Sequence, residues 1–133
     1  MIRVVRLGSP RQAGEGLRLG TVRRLPRGVP KAEYAKRDYF DQWLPELAPS
    51  DKLFAFARTG SLDDARWARF RKAYFSEMSR PPAQRLLALL AALSHQADVS
   101  VGCYCEDESR CHRSLLRELL RGHGARLSAK GSS

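Results

Sequence analysis

Residues 99–120 read VSVGCYCEDESRCHRSLLRELL, and two periodicities meet inside them. VSVGCYC (99–105) alternates apolar and small residues, as a buried strand does. From Cys111 onward, leucines recur at helical spacing: Cys111 aligns with Leu115 and Leu119, and His112 with Leu116 and Leu120. Gly122 and Gly124 then end the pattern in the manner of a left-handed helix cap. A strand running straight into a helix is the signature of an α/β fold, and it places the intervening turn at a strand's carboxyl end.

The rest of the chain extends that pattern. MIRVVRLG is a β-branched run closed by Gly8 and reads as a buried first strand, and LRLGTVRRL as a second short one. Residues 26–50 carry Pro26, Pro30, Pro45 and Pro49, which forbid one long helix. Tyr34, Phe40 and Trp43 in the same stretch require burial, so it reads as short helical turns packed by their aromatics. KLFAFAR (52–58) is expected to be a buried strand. Ser61 with Asp64 suggests a capping box opening a helix whose inward stripe includes Trp67, Phe70, Tyr74 and Met78. Pro81 and Pro82 stop that helix and pre-set the first turn of a leucine-rich one. The expected architecture is α/β, a single compact domain over 1–126 with a mostly parallel sheet and helices on both faces. Residues 127–133 are expected to form a flexible C-terminal tail.

At 133 residues the chain has room for one core. It contains no stretch of about 20 apolar residues, and its N-terminus lacks the apolar region of a secretion signal. A cytoplasmic location with no membrane partner is therefore expected, with the three cysteines reduced and no structural disulfides. The formal net charge is +10, carried by far more arginine than lysine. Arginine's planar fork suits phosphate, so a phosphate-bearing small molecule or a nucleic acid is the expected partner class. Oligomeric state is left open by the sequence.

Several side chains carry candidate chemistry. A helix start after a parallel strand offers free backbone N–H groups to an anion, with Arg113 as reinforcement, and the same field favours a thiolate at Cys111. Cys105, Cys111 and His112 are the candidate catalytic residues of a thiol enzyme. A facing thiol–imidazole pair is not expected from adjacent residues on a helix, so His112 is expected to contact a ligand or to pair with Glu106 or Asp107. No metal site and no cofactor are expected. CYC separates its cysteines by one residue only, and neighbouring helical side chains at 111 and 112 diverge by about 100°. Arg23, Arg24, Arg27 and Gly28 form a second candidate cluster. It reads either as part of a ligand pocket or as a clamp on the proline-rich segment.

VRRLPRGVPKAEYAK, YFDQWLPELAPS and GCYCEDESRCHRSLLRELL together resemble the family called domain of unknown function 488, over roughly residues 1 to 122. The resemblance implies a compact α/β domain. It matches Arg24, Pro26, Arg27 and Gly28 to the family's arginine–proline–arginine–glycine element, Cys103 to the late-strand cysteine, and Cys111, His112 and Arg113 to its cysteine–histidine–arginine triplet. Some branches have Asp before the first arginine and Trp before the proline, where this chain has Arg23 and Leu25, so acid chemistry at that place does not carry over. Three functions remain in view: an anion-binding protein using Arg23, Arg24, Arg27, Gly28 and Arg113, a thiol enzyme, and a partner-binding protein whose proline-and-aromatic segment is the interface.

Overall fold

A computed structural model describes residues 1–129. The strands are β1 (Ile2–Arg6), β2 (Leu17–Gly20), β3 (Gln42–Trp43) and β4 (Val99–Cys103); the helices are α1 (Asp51–Arg58), α2 (Asp64–Met78), α3 (Pro81–Leu93) and α4 (His112–Gly122). All four strands are parallel, in the order β1-β4-β2-β3. This is a single α/β domain.

β4 comes last in sequence but lies inside the sheet. Val4 and Leu19 both stand opposite Val101, one from each neighbouring strand, and every residue of β4 is buried. A strand enclosed in this way must be apolar or small throughout, as VSVGC is. Gly102 is required by close approach: a Cβ there would lie 2.6 Å from the Leu7 side chain and 2.8 Å from the Val5 carbonyl oxygen.

Both faces of the sheet are covered, but all four α-helices lie on one of them, in place of the helices expected on both. Ile2, Val4, Leu19 and Val101 form a core with Leu53 of α1, Phe70 and Tyr74 of α2, Leu87 and Leu90 of α3, and Leu116 and Leu120 of α4. Each fully buried leucine contributes about 1.5–3 kcal/mol relative to exposure. On the opposite face Val5, Leu7 and Val22 pack with Tyr34 and Phe40 from an irregular segment that contains a 3-10 turn, Lys31–Glu33. The loop before β2 covers the remainder through Glu15, whose carbonyl accepts from the Ser100 hydroxyl at 2.9 Å.

Three local expectations change. Residues 51–58 are helical: the Ser50 hydroxyl caps them by accepting from the Leu53 N–H at 3.2 Å, and only Leu53 is fully buried. The alanines at 55 and 57 suit a helix, and with one inward residue per turn the apolar run needs no strand. The cap of α2 is Asp63, which accepts from the Arg66 N–H at 2.8 Å, in place of a Ser61 box. The proline-rich segment has its turns, at Lys31–Glu33 and Pro45–Leu47, but also donates β3 to the sheet edge.

The expected tail begins inside the fold. Leu127 bridges Ile2, Ser128 N–H donates to the Ile2 carbonyl at 2.9 Å, and Arg117 donates to the Ser128 carbonyl at 2.9 Å. Residues 127 and 128 are thus paired with the body of the domain, while 130–133 of the expected tail lie outside the described residues. No helix among the described residues is long and apolar enough to cross a membrane.

Candidate functional site at the carboxyl edge of the sheet

The carboxyl ends of β2 and β4 and the start of α4 meet around a cavity of about 200 Å³. β4 delivers Cys103 and, just beyond it, Cys105; the turn into α4 delivers Cys111 and His112; β2 leads to Arg23 and Arg24. Phe54 and Arg58 of α1 and Phe70 of α2 complete much of the wall. Parallel α/β sheets place their ligand crevices at this edge.

The sulfur atoms gather on the floor. Cys103 Sγ lies 3.7 Å from Cys105 Sγ, and Cys111 Sγ lies 3.8 Å from His112 Nδ1. The donor atoms of Cys103, Cys111 and His112 are all within 4.8 Å of one another, and all three residues are buried. The 100° divergence expected of 111 and 112 does not apply, because Cys111 is not helical. It precedes α4 with φ −118° and ψ 150°, after a 3-10 turn at Glu108–Arg110, so its side chain leaves an extended backbone and meets that of His112.

His112 does not pair with an acid. Its Nε2–H donates to the Thr21 carbonyl oxygen at 2.6 Å, leaving Nδ1 as an acceptor toward the sulfurs. Burial lowers its pKa to about 4, so the ring is neutral at neutral pH. Glu106 instead pairs with Arg6, and Asp107 accepts from the backbone N–H and hydroxyl of Ser109.

The thiols share a charge unequally. Cys111 is held well below the ordinary thiol value by hydrogen bonds from Cys103 and Cys105, aided by the Arg113 charge and opposed by burial. Cys103 is raised by its bonds to Cys105 and Cys111 and by burial. Cys105 is lowered by its contact with Cys103, but donation to Cys111 and burial raise it on balance. The first thiolate of the cluster is therefore Cys111.

The candidate arginines separate into three roles. Arg23 clamps the proline-rich segment, donating to the carbonyls of Pro49 at 2.9 Å and Pro45 at 3.2 Å. Arg24 pairs with Asp51, and its guanidinium and that of Arg58 each lie 5.2 Å from the Phe54 ring centre. Arg27 is exposed and makes no hydrogen bond or ion pair with the described residues. With Arg24 and Arg58 it lines a wider opening of about 450 Å³ that shares Phe54 and Tyr104 with the inner cavity. Gly28, at φ +74°, serves the turn and lines neither space.

Arg113 is placed elsewhere. It is 3% exposed, donates to the Cys105 carbonyl at 2.6 Å, and borders a separate opening among Glu15, Glu106 and Glu108. Arg113 therefore does not share the cavity with Arg27. Phe54, Arg58, Arg110 and Tyr104 were missed by sequence reasoning. A helical reading of 51–58 would have set Phe54 and Arg58 four residues apart on one face.

Residues 2–124 match the family model DUF488-N3a, described as the active DUF488-N3 subclade. No curated protein and no solved structure matches the chain.

Proposed function

The chain belongs to the DUF488 family, and from that premise we propose that it binds a phosphate-bearing small molecule with a flat apolar head, of which a nucleotide is the simplest class. The observation that carries this reading is the convergence of Arg24, Arg27 and Arg58 on one opening that leads into the smaller cavity beside Phe54. Arg27 has no acid to satisfy it among the described residues, so its fork is available to a phosphate. The inner cavity, walled by Phe54, Phe70 and the cysteines, suits a planar apolar group more than a second charge. Depth favours a small molecule over a nucleic acid strand, which would need a longer basic track with stacking residues along it.

Calorimetric titration with AMP, with inorganic phosphate and with a short single-stranded oligonucleotide tests the reading. AMP should bind, phosphate should bind more weakly, and Arg27→Ala with Arg58→Ala should weaken AMP by about tenfold or more, since the loss of even one of the two charge-assisted contacts has that effect. Absence of AMP binding, an affinity untouched by the double substitution, or a clear preference for the oligonucleotide would reject it.

A further inference from the structure

We propose that Cys103, Cys105, Cys111 and His112 together hold one thiophilic divalent cation, with zinc as the best fit. The side chains supply three sulfurs and one imidazole nitrogen, a donor set that zinc accepts in four-coordinate sites. Bonds of about 2.3 Å to sulfur and about 2.0 Å to nitrogen put tetrahedral donors roughly 3.5–3.8 Å apart. Cys103 and Cys105 are separated by 3.7 Å at sulfur, and Cys111 Sγ and His112 Nδ1 by 3.8 Å. The three buried donors span no more than 4.8 Å, and Cys105 Sγ, 3.7 Å from Cys103 Sγ but outside that cluster, must turn inward to complete the fourth corner.

The surroundings are prepared in the way a ligating histidine requires. The His112 Nε2–H is committed to the Thr21 carbonyl, which fixes both the tautomer and the ring plane and turns the Nδ1 lone pair toward the sulfurs. An outer hydrogen bond of this kind is what orients metal-bound imidazoles. The main-chain carbonyl of Cys105, in turn, is held by Arg113 at 2.6 Å, which steadies the only exposed member of the set. The four donors come from two short segments, at the end of β4 and the start of α4, so the ion would pin these two elements at the edge of the cavity. Cys105 forms the corner nearest solvent, and is the donor by which the ion enters.

The ligands must be deprotonated to bind, so loading releases protons and strengthens with pH. The assignment is independent of the arginine opening, since none of the four donors is an arginine and Arg27 lies in the outer space.

The test uses the full chain. Metal analysis of protein purified without chelator should find about one zinc per chain. Cobalt(II) added to the metal-free protein should give the intense visible bands and sulfur-to-metal charge transfer of a tetrahedral thiolate site. Zinc should also protect the exposed thiol: Cys105 should react with a thiol-specific disulfide reagent in metal-free protein, and its rate should fall at least tenfold when zinc is saturating. Cys111→Ser and His112→Gln should each lower zinc affinity by about tenfold or more against a chromogenic chelator, and circular dichroism identifies a variant that has failed to fold. The wild-type measurements decide the matter in that event. A Cys105 thiol that stays fully reactive at saturating zinc, or cobalt bound without tetrahedral bands, would overturn the assignment and leave Cys111 as a free thiolate. AMP binding that persists while zinc does not bind would reject this site and leave the arginine reading standing.

Discussion

His112 reaches across the end of the sheet to Thr21, donating its Nε2–H to the Thr21 carbonyl oxygen over 2.6 Å. Thr21 follows β2 directly, and its own hydroxyl donates to the Gly102 carbonyl of β4 at 2.9 Å. The first residue of α4 is therefore tied to both strands that frame the cavity. The bond is buried, so it is not exchanged readily for one to water.

Removing that tie should be costly. His112→Ala leaves a buried carbonyl without its donor and a void beside Tyr74, whose ring centre lies 5.7 Å from the imidazole. The expected loss is about 3 kcal/mol of unfolding free energy in urea titration. A loss below about 1 kcal/mol would mean that the bond does not hold the helix start.

Arg113→Ala separates structural from ligand-binding roles. The side chain serves the Cys105 carbonyl and sits away from the arginine opening, so the melting temperature should fall by several degrees. AMP affinity, measured on the folded protein, should stay within about twofold. A tenfold loss of affinity with unchanged stability would return Arg113 to the ligand.

A buried ion pair supports the face opposite the α helices. Arg18 is 0% exposed; its Nε donates to Glu15 at 2.7 Å, and its Nη atoms donate to the carbonyls of Ser9, Pro10 and Asp38. Glu15→Gln removes the counter-charge and should cost about 3 kcal/mol. Arg18→Leu should cost more, because three carbonyls lose a donor as well. Urea titrations that reverse this order would refute the account.

The same region predicts acid lability. Burial raises the Glu15 pKa, but the hydrogen bonds from Arg18 and the Gln12 N–H, with the arginine charges, outweigh it and leave the value lowered. Asp41 is lowered for the same reasons by Arg11 and by the Arg18 N–H. A carboxylate lowered in the folded state binds protons more readily when unfolded, so its stabilisation is complete above its ordinary value and is lost as pH falls through the folded one. Melting temperature should begin to decline below about pH 6.5, where unfolding lets His112 take up the proton its buried ring refuses, and should drop more steeply below about pH 4.5 as the carboxylates add to it. Asp41→Asn should flatten part of that drop; an unchanged profile would remove Asp41 from the explanation.

Legibility followed the length of the pattern. In α4 the row behind His112 is visible and correct, with Leu116 and Leu120 buried, whereas of the row given to Cys111 only Leu115 is fully buried, Leu119 is half-buried and Cys111 itself precedes the helix. The proline stop before α3 is equally plain, since Pro81 is its first residue. KLFAFAR is only seven residues long, and an apolar run of that length fits either period. Its helical state is decided by the Ser50 cap, which Glu77 of α2 holds in turn through the Ser50 N–H at 2.8 Å.

Sequence by itself determined the class of fold, the strand-to-helix turn at the carboxyl edge, and the family to which its motifs point, because these rest on local periodicity and on residues close in the chain. Tertiary structure alone decided that β4 is interior, that Arg113 serves a carbonyl while Arg58 joins Arg24 and Arg27, and that Cys111 faces His112. The last depends on the extended φ and ψ of a single junction residue. That conformation is imposed by the 3-10 turn before it and the Thr21 contact after it, and neither is visible in the spacing of cysteines and histidine.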